Sequence, residues 1–394
     1  MATFGVLGSG RQGTAAAYDL AVAQDADLVV MFDADAGAAA AASGRINRLA
    51  NREVACPQAL DVTDHAALVA ALAPLTAVVC AVPYRFIAGC TAAAIESRTG
   101  MVDLGGHTPT VLLQLERDAE ARDAGIAVVP DCGMGPGLNT TFGMYVVDQL
   151  EAAGVTPAEV RLYDGGLPQD RDAPWGYRST FDINGLTNEY DGQALFLRDG
   201  RVTPVPTLGE VETLDFEGIG PLEAFVTSGG TSTVPYSLEG RLQVYENKTL
   251  RYPGHIEAFR AFRDLGLFSE EPMEVDGCRL SPRAFYHALL GPMLSAPRSE
   301  DVCVMRAVGR GRRGEEEIGL TLDLVDRYDP LTGFSAMERL TGWHAAIMAG
   351  FVADGSVEPG VHPVERAMSA GRFLEAFRER GLEITERWSS SPSS

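Results

Sequence analysis

Four residues within eight positions, Lys248, Arg251, Tyr252 and His255 in the run KTLRYPGH, concentrate groups that move protons and grip anions. Arginine clamps a carboxylate through two parallel hydrogen bonds, and lysine, tyrosine or histidine can relay a proton. Lys248 is also the only lysine in the chain. Upstream, EAFVTSGGTSTVP (residues 223–235) sets the hydroxyls of Thr227, Ser228, Thr231, Ser232 and Thr233 around two glycines. Such a loop offers several short donors to one carboxylate, the plain alternative being a turn. The plain alternative for KTLRYPGH is a solvated basic stretch. In a chain with 54 acidic residues against 32 lysines and arginines, the cluster reads as functional.

Two further segments, DLGGH (Asp103–His107) and PDCGMGPGLN (Pro130–Asn139), end strand-like runs with glycines and prolines. His107 reads as structural as readily as functional. Asp131 and Asn139 read as caps of the helix that begins near Gly137.

These groups need a scaffold, and the first third of the chain supplies the clearest one. Compact β-branched runs at Thr3–Gly8, Leu28–Asp33, Ala77–Pro83, Met101–Gly105 and Ile126–Pro130 alternate with helical patterns near Gln12–Ala23, Asp35–Ala50, Asp64–Leu72, Phe86–Ser97 and Thr110–Ala124. That alternation predicts an α/β fold with a doubly wound parallel sheet. Between the first strand and helix, GSGRQG places Gly8, Gly10 and Gly13 in GxGxxG register. With 43 glycines in the chain, about 0.5 matches are expected by chance, so context must carry the motif. The context is a strand before, a helix after, and Asp33 at the next strand end, 20 positions beyond Gly13. A carboxylate there accepts hydrogen bonds from ribose hydroxyls and repels a 2′-phosphate, and Ala34 and Asp35 offer no cation. The reading is NAD rather than NADP. Arg11 and Gln12 open the helix that faces the phosphates. By topology Asp61 and Val62 border the adenine. Ala81, Val82 and Pro83, with Leu104, Gly105, Met134 and Pro136, occupy the same edge of the sheet.

Beyond about residue 140, strand-like pieces at Val160–Tyr163, Ala194–Leu197 and Leu242–Tyr245 predict a second α+β domain with an open mixed or antiparallel sheet. The expected layout is a Rossmann domain over 1–140 and a catalytic domain over 141–339. Residues 389–394, rich in serine, read as a disordered tail. The composition is globular, 46% hydrophobic and 22% charged. A net charge of −22 argues against nucleic acid and anionic membranes as partners. No signal peptide or uninterrupted membrane-length apolar run is visible. The six cysteines form no CxxC pair and have no histidine at ligand spacing, so reduced thiols, no metal and a cytoplasmic location are expected.

GSGRQG with Asp33, DLGGH, PDCGMGPGLN, DGGLP (Asp164–Pro168), EAFVTSGGTSTVP and KTLRYPGH occur in the order found in the saccharopine dehydrogenase-like family, which the chain resembles over nearly its whole length. The likeness is strongest over 101–139 and 163–255, weakens through 269–313, and is nearest to the lysine 6-dehydrogenase members. The resemblance implies that C-terminal helices over about 340–388 complete the Rossmann domain, with helical patterns at Thr341–Gly355, Gly360–Glu365 and Phe373–Arg380. It also implies a homo-oligomer, dimer or tetramer, and a small amino-acid substrate. The implied reaction is NAD-dependent oxidative deamination of L-lysine at its ε-amine. The product, 2-aminoadipate 6-semialdehyde, cyclises to a piperideine carboxylate.

Hydride leaves the ε-carbon only from the neutral amine, yet free lysine keeps its proton to about pH 10.4, so a base is required. Lys248, His255 and His107 are the candidates, with Tyr252 as relay. Arg251 would hold the α-carboxylate with help from Thr231 and Ser232, and Asp103 or Glu223 would meet the α-ammonium. Arg178, in PWGYRSTF, would anchor the second arm of a longer substrate, as a saccharopine reductase or a carboxynorspermidine-type dehydrogenase requires. A redox-neutral cyclodeaminase and a non-catalytic NAD sensor are the readings from other classes.

Overall fold

The structure is a computed structural model that describes residues 2–179, 183–295 and 300–392. Its first part runs β1 (Thr3–Leu7), α1 (Arg11–Val22), β2 (Leu28–Asp33), α2 (Ala36–Ala50), β3 (Ala55–Ala59), α3 (His65–Leu72), β4 (Ala77–Cys80), α4 (Ile87–Ser97), β5 (Gly100–Asp103), α5 (Thr108–Leu115), α6 (Asp118–Ala124) and β6 (Ala127–Val129). The inner strands are apolar on both faces, which requires cover on both sides and suits parallel pairing. All pairings are parallel, in the order β6-β5-β4-β1-β2-β3. The order reverses between β1 and β4, which opens a crevice at their C-terminal ends. The single helix expected over Thr110–Ala124 is two, α5 and α6, separated at Glu116–Arg117.

The second part runs α7 (Leu138–Ala152), β7 (Thr156–Pro168), α8 (Ile183–Tyr190), β8 (Gln193–Arg198), β9 (Arg201–Pro206), β10 (Glu212–Phe216), β11 (Gly220–Val226), α9 (Val234–Ser237), β12 (Val244–Arg251), α10 (His255–Asp264), β13 (Met273–Val275), β14 (Cys278–Leu280), α11 (Pro282–Leu294), β15 (Asp301–Arg313) and β16 (Glu316–Arg327). The chain closes with α12 (Ala336–Ala353), β17 (Gly360–Val361), α13 (Val364–Ala367), α14 (Ala370–Arg378) and β18 (Ile384–Pro392). The second sheet is mixed, ordered β10-β11-β12-β7-β15-β16-β18, with β8 beside β12 and β9 beside β8. β12 and β7 are parallel, and their neighbours are antiparallel.

Of the segment 340–388, α12 packs on α1 and β17 pairs with β6. From Ile384 onward the chain instead adds an edge strand to the second sheet. Residues Gly360–Glu365, expected to be helical, hold β17 and the start of the short α13. The serine-rich end is a further correction, because Ser389, Ser390, Ser391 and Pro392 pair with Gly319, Ile318, Glu317 and Glu316 of β16. Backbone pairing along a free edge needs no apolar side chains, and Ser389 lies against Gly319, where a β-carbon would crowd its hydroxyl. Residues 393–394 lie outside the described residues. One buried core joins the two sheets, running from Val6 and Leu20 through Phe142, Leu340 and Ile347 to Leu162 and Leu322. Among the described residues no helix is long and apolar enough to cross a membrane.

Candidate active site

The GSGRQG turn sits at the crevice between β1 and β4. Gly8 has φ +96°, and a β-carbon there would meet the Ala81 carbonyl at 2.6 Å, so the turn needs glycine. A β-carbon on Gly13 would collide with the Gly8 carbonyl, which sets how closely α1 approaches β1. A β-carbon on Gly10 would meet nothing within 4 Å among the described residues, leaving room for a ligand. Gly10 caps α1 without a side-chain bond, and the positive end of the helix dipole faces the same space, where it favours an anion. Asp33 is fixed at the end of β2, accepting from Ser9 N–H at 2.8 Å and Asp35 N–H at 2.9 Å. This edge fits a dinucleotide: an open space over a glycine turn, an uncapped helix start and an oriented carboxylate.

Gln12, Ala81, Val82, Pro83, Leu104, Gly105 and Met134 line one end of a cavity of about 780 Å³. Pro136 does not line it, nor does Arg11, whose Nη1 lies 3.5 Å from the Ser179 carbonyl. Asp61 and Val62 stand apart on the loop after β3. Asp61 is exposed and accepts from both the N–H and hydroxyl of Thr63, which holds its carboxyl below the usual range.

The far end of the cavity is built on β12, and its pleat sorts the KTLRYPGH residues. Side chains alternate across a strand, so Asn247, Thr249 and Arg251 line the cavity while Lys248 and Leu250 face away. Lys248 binds Glu212 at 2.8 Å and reaches Glu210 at 3.6 Å. Tyr252, packed with Leu250, donates to the Pro168 carbonyl at 3.1 Å. Neither lines the cavity, which corrects the expectation of Lys248 as base and Tyr252 as relay.

Arg251 is buried. Its Nε donates to the Tyr190 hydroxyl at 3.0 Å, its Nη1 to the Leu250 carbonyl at 2.9 Å, and its guanidinium lies 4.8 Å over the Tyr177 ring. His255 stands behind it. The Trp175 carbonyl, 3.0 Å from Nδ1, can only accept, so Nδ1 carries the proton and Nε2, 2.9 Å away from the Tyr190 hydroxyl, accepts from it. Burial, with the Arg251 charge, pushes the imidazole down to about 3. His255 is a neutral support for Arg251 and not a base in the cavity.

Two carboxyls that sequence reasoning did not select face the same space. Asp164 of β7 lies beside Thr249 of β12 and accepts from Asn247 Nδ2 at 3.3 Å. Burial pushes it up to about 7, against the pull of Arg251 and a bond from Asn139. Glu189 of α8 is likewise pushed up to about 7 by burial, with Arg251 again opposing. Asp164 opens the DGGLP run, and a carboxylate followed by two glycines inside a strand is a usable signal. Glu189 carries no such signal.

The other expected site residues lie around the cavity rather than in it. His107 stacks on Tyr84 at 4.3 Å and pairs with the Thr110 hydroxyl at 2.8 Å, and burial lowers its pKa. Asp103 is buried at the end of β5, accepts from Gln114 Nε2 at 2.7 Å, and is pushed up to about 6 by burial. Thr231 donates to the Leu195 carbonyl at 2.7 Å, and Ser232 donates to Asp131. Of that loop, Thr227 and Ser228 are the hydroxyls on the cavity wall. Glu223 accepts from Gly254 N–H at 3.2 Å, and Arg178 donates to the Met293 carbonyl at 3.0 Å. The run holding Arg178 continues into residues 180–182, outside the described residues.

Neither expected cap of α7 acts as one. Gly137 is the N-cap and carries no side-chain bond. Asn139 instead donates to the Gly230 carbonyl at 2.9 Å, and Asp131 accepts from Gly106 N–H at 3.3 Å as well as from Ser232.

Comparison with known proteins matches this architecture. The yeast apo saccharopine dehydrogenase (L-Glu forming) superposes with a TM-score of 0.79 at 20% identity, covering 99% of this chain and 100% of that one. The NAD complex of a Legionella pneumophila homospermidine synthase superposes at 0.67 with 9% identity, covering 98% of this chain and 91% of that one. At these identities the likeness is one of fold. A saccharopine dehydrogenase [NADP(+), L-glutamate-forming] of Pyricularia oryzae is 31% identical over 220 residues, 55% of this chain and 48% of that protein. The mitochondrial alpha-aminoadipic semialdehyde synthase of Mus musculus is 25% identical over 372 residues, 77% of this chain and 40% of that protein. The chain thus spans about half the length or less of the curated relatives it matches. The sequence models of the saccharopine dehydrogenase NADP binding domain and C-terminal domain match residues 4–129 and 133–382. The second match alone covers more than half of the chain, and with it the protein belongs to the saccharopine dehydrogenase family.

Proposed function

We propose that the protein is an NAD-dependent oxidoreductase that deaminates L-lysine at its ε-amine, giving 2-aminoadipate 6-semialdehyde, ammonia and NADH. The observation that carries this reading is a cavity in which the buried guanidinium of Arg251 faces two carboxyls pushed up to about 7, the buried Asp164 and the half-buried Glu189, while the other buried guanidinium on its wall, Arg283, is already paired with Glu270 and Asp191. That set suits a substrate with one carboxylate and two amines. The choice of NAD is supported by Asp33, whose charge opposes a 2′-phosphate.

The glycine turn Gly8–Gly13 and Asp33 would hold NAD, which would supply the hydride acceptor. Arg251 holds the α-carboxylate by a charge-assisted pair. Glu189 meets the α-ammonium. Asp164 lies against Gly135, where a β-carbon would strike its Oδ2, and so stands next to Met134 on the cofactor edge. As a carboxylate it removes a proton from the ε-ammonium, so that the neutral amine can release hydride from the ε-carbon and become an iminium. After that proton has passed to solvent, the regenerated carboxylate deprotonates the water that adds to the iminium carbon. It returns this proton to the nitrogen of the carbinolamine, so that ammonia leaves as the hydroxyl gives up its proton and becomes the aldehyde carbonyl. A base with a pKa near 7 is half ionised at neutral pH and serves both transfers.

A second reading is an L-glutamate-forming saccharopine dehydrogenase. It is favoured by the fungal relative and by Arg283, a second guanidinium on the cavity wall. NADH absorbance after mixing the protein with NAD and L-lysine, D-lysine, ornithine or saccharopine separates the two. NADH and ammonia from L-lysine alone are expected. Turnover of saccharopine without turnover of lysine would replace the reading.

A further inference from the structure

Arg283, at the start of α11, lines the same cavity as Arg251, yet its donors are already taken. Nε donates to the Phe268 carbonyl at 2.7 Å, Nη1 to Asn188 Oδ1 at 2.9 Å and Glu270 Oε1 at 2.7 Å, and Nη2 to Asp191 Oδ2 at 2.8 Å. Two of these partners, the Phe268 carbonyl and the Asp191 carboxylate, hold the arginine from outside the wall, and Asn188, on the wall, offers it a neutral amide oxygen. Glu270 differs. It lines the cavity, its side chain is 76% exposed, and it sits on the loop after α10 rather than within packed structure. The carboxylate of Glu270 thus occupies the face of Arg283 that an incoming carboxylate would take. Asn188, which shares Nη1, is the neighbour of Glu189, so the occupied arginine adjoins the Arg251 end of the site.

We propose that Glu270 is a built-in carboxylate block that sets substrate length: it satisfies Arg283 internally and so excludes substrates with a second carboxylate arm. With both Glu270 and Asp191 on one guanidinium, this end of the cavity carries an excess of negative charge. A monocarboxylate such as lysine needs only Arg251. A dicarboxylate arm would have to displace Glu270 and enter an anionic field, whereas without Glu270 it would find a free, rigidly held guanidinium donor. This assignment rests on the lysine reading above.

The test is saccharopine binding to the full-length, NAD-loaded protein by calorimetry, with L-lysine titrated in parallel, for wild type, Glu270→Ala and Asp191→Asn. Glu270 is exposed, and Arg283 keeps its other partners when it is removed, so E270A should fold; a melting curve checks this. The expectation is a gain of at least tenfold in saccharopine affinity relative to lysine in E270A. D191N, which removes a carboxylate from the side of Arg283 away from the cavity, should give much less. Equal gains in both variants would point to a general field and overturn the block. No gain in E270A, or saccharopine already binding tightly to wild type, would overturn it as well. Lysine turnover measured on the same wild-type sample reports separately on the function proposed above: its absence, with the E270A gain present, would sink that reading and keep the block.

Discussion

The hydroxyl of Tyr190 accepts from Arg251 Nε at 3.0 Å and donates to His255 Nε2 at 2.9 Å, so the orientation of the arginine is fixed from two residues away. Tyr190→Phe leaves a buried guanidinium N–H without its acceptor, a loss of about 1–3 kcal/mol. If Arg251 binds the substrate carboxylate, KM for lysine should rise at least tenfold while kcat falls less. Because His255 is neutral down to about pH 3, His255→Asn should also raise KM without moving any limb of the pH profile between 5 and 9. A kcat loss at unchanged KM in Tyr190→Phe would place the tyrosine in the chemistry instead.

Lys248, the only lysine, faces the opposite side of β12 from the cavity and binds Glu212. Lys248→Met should lower the melting temperature while kcat/KM stays within about threefold, less than ~1 kcal/mol of transition-state energy. Steady-state kinetics beside a melting curve checks both. A thousandfold loss in a folded variant would return Lys248 to the mechanism.

Asp164 is the proposed base, and its carboxylate form does the work. With burial holding it up to about 7, kcat/KM for lysine should rise with pH through that value as the carboxyl ionises. Asp164→Asn should cut kcat by about 100- to 10,000-fold and remove that limb. A variant that keeps the limb would assign it to Glu189, which burial holds at the same level.

The parallel sheet was legible because its signals are local. Short apolar runs, the glycine turn and a carboxylate at the next strand end each sit within about thirty residues of one another. The substrate end was legible as a neighbourhood and not as a set of roles. KTLRYPGH was found by composition, but the pleat of β12 decides which of its residues reach the cavity, and that depends on a strand register set by β7, about 80 residues earlier. Asp164 and Glu189 acquire their chemistry from burial, which one-dimensional spacing does not report. The serine-rich end misled for a related reason: β18 is held by backbone hydrogen bonds to β16, and those leave no pattern in side-chain hydrophobicity.

The proposed preference for NAD rests on Asp33, whose two oxygens are oriented by Ser9 and Asp35 at the end of β2. Asp33→Ala removes acceptors for the ribose hydroxyls and a charge that opposes a 2′-phosphate. NAD should bind about tenfold more weakly, as expected for lost hydrogen bonds of ~1–2 kcal/mol, and the NADP:NAD ratio of kcat/KM should rise. Titrating both cofactors at saturating substrate gives the ratio. An unchanged ratio would mean that the ribose is read elsewhere.

Asp131 couples the first sheet to the Ser232 loop of the second, and burial, aided by the Asp103 charge, holds it up to about 7. An unfolded aspartate titrates near 3.9, so between about pH 4 and 7 the folded chain binds a proton at this position that the unfolded chain has released. Stability from this group is therefore present at low pH, declines as pH rises through that window and is lost above 7. Asp131→Asn carries no charge to desolvate, and its amide can still bond Ser232. The difference in melting temperature, variant minus wild type, should move in favour of the variant between pH 5 and pH 8, measured in the absence of cofactor. A difference that does not change with pH would mean that Asp131 is ionised throughout the range and that the contact between the sheets is a charged one.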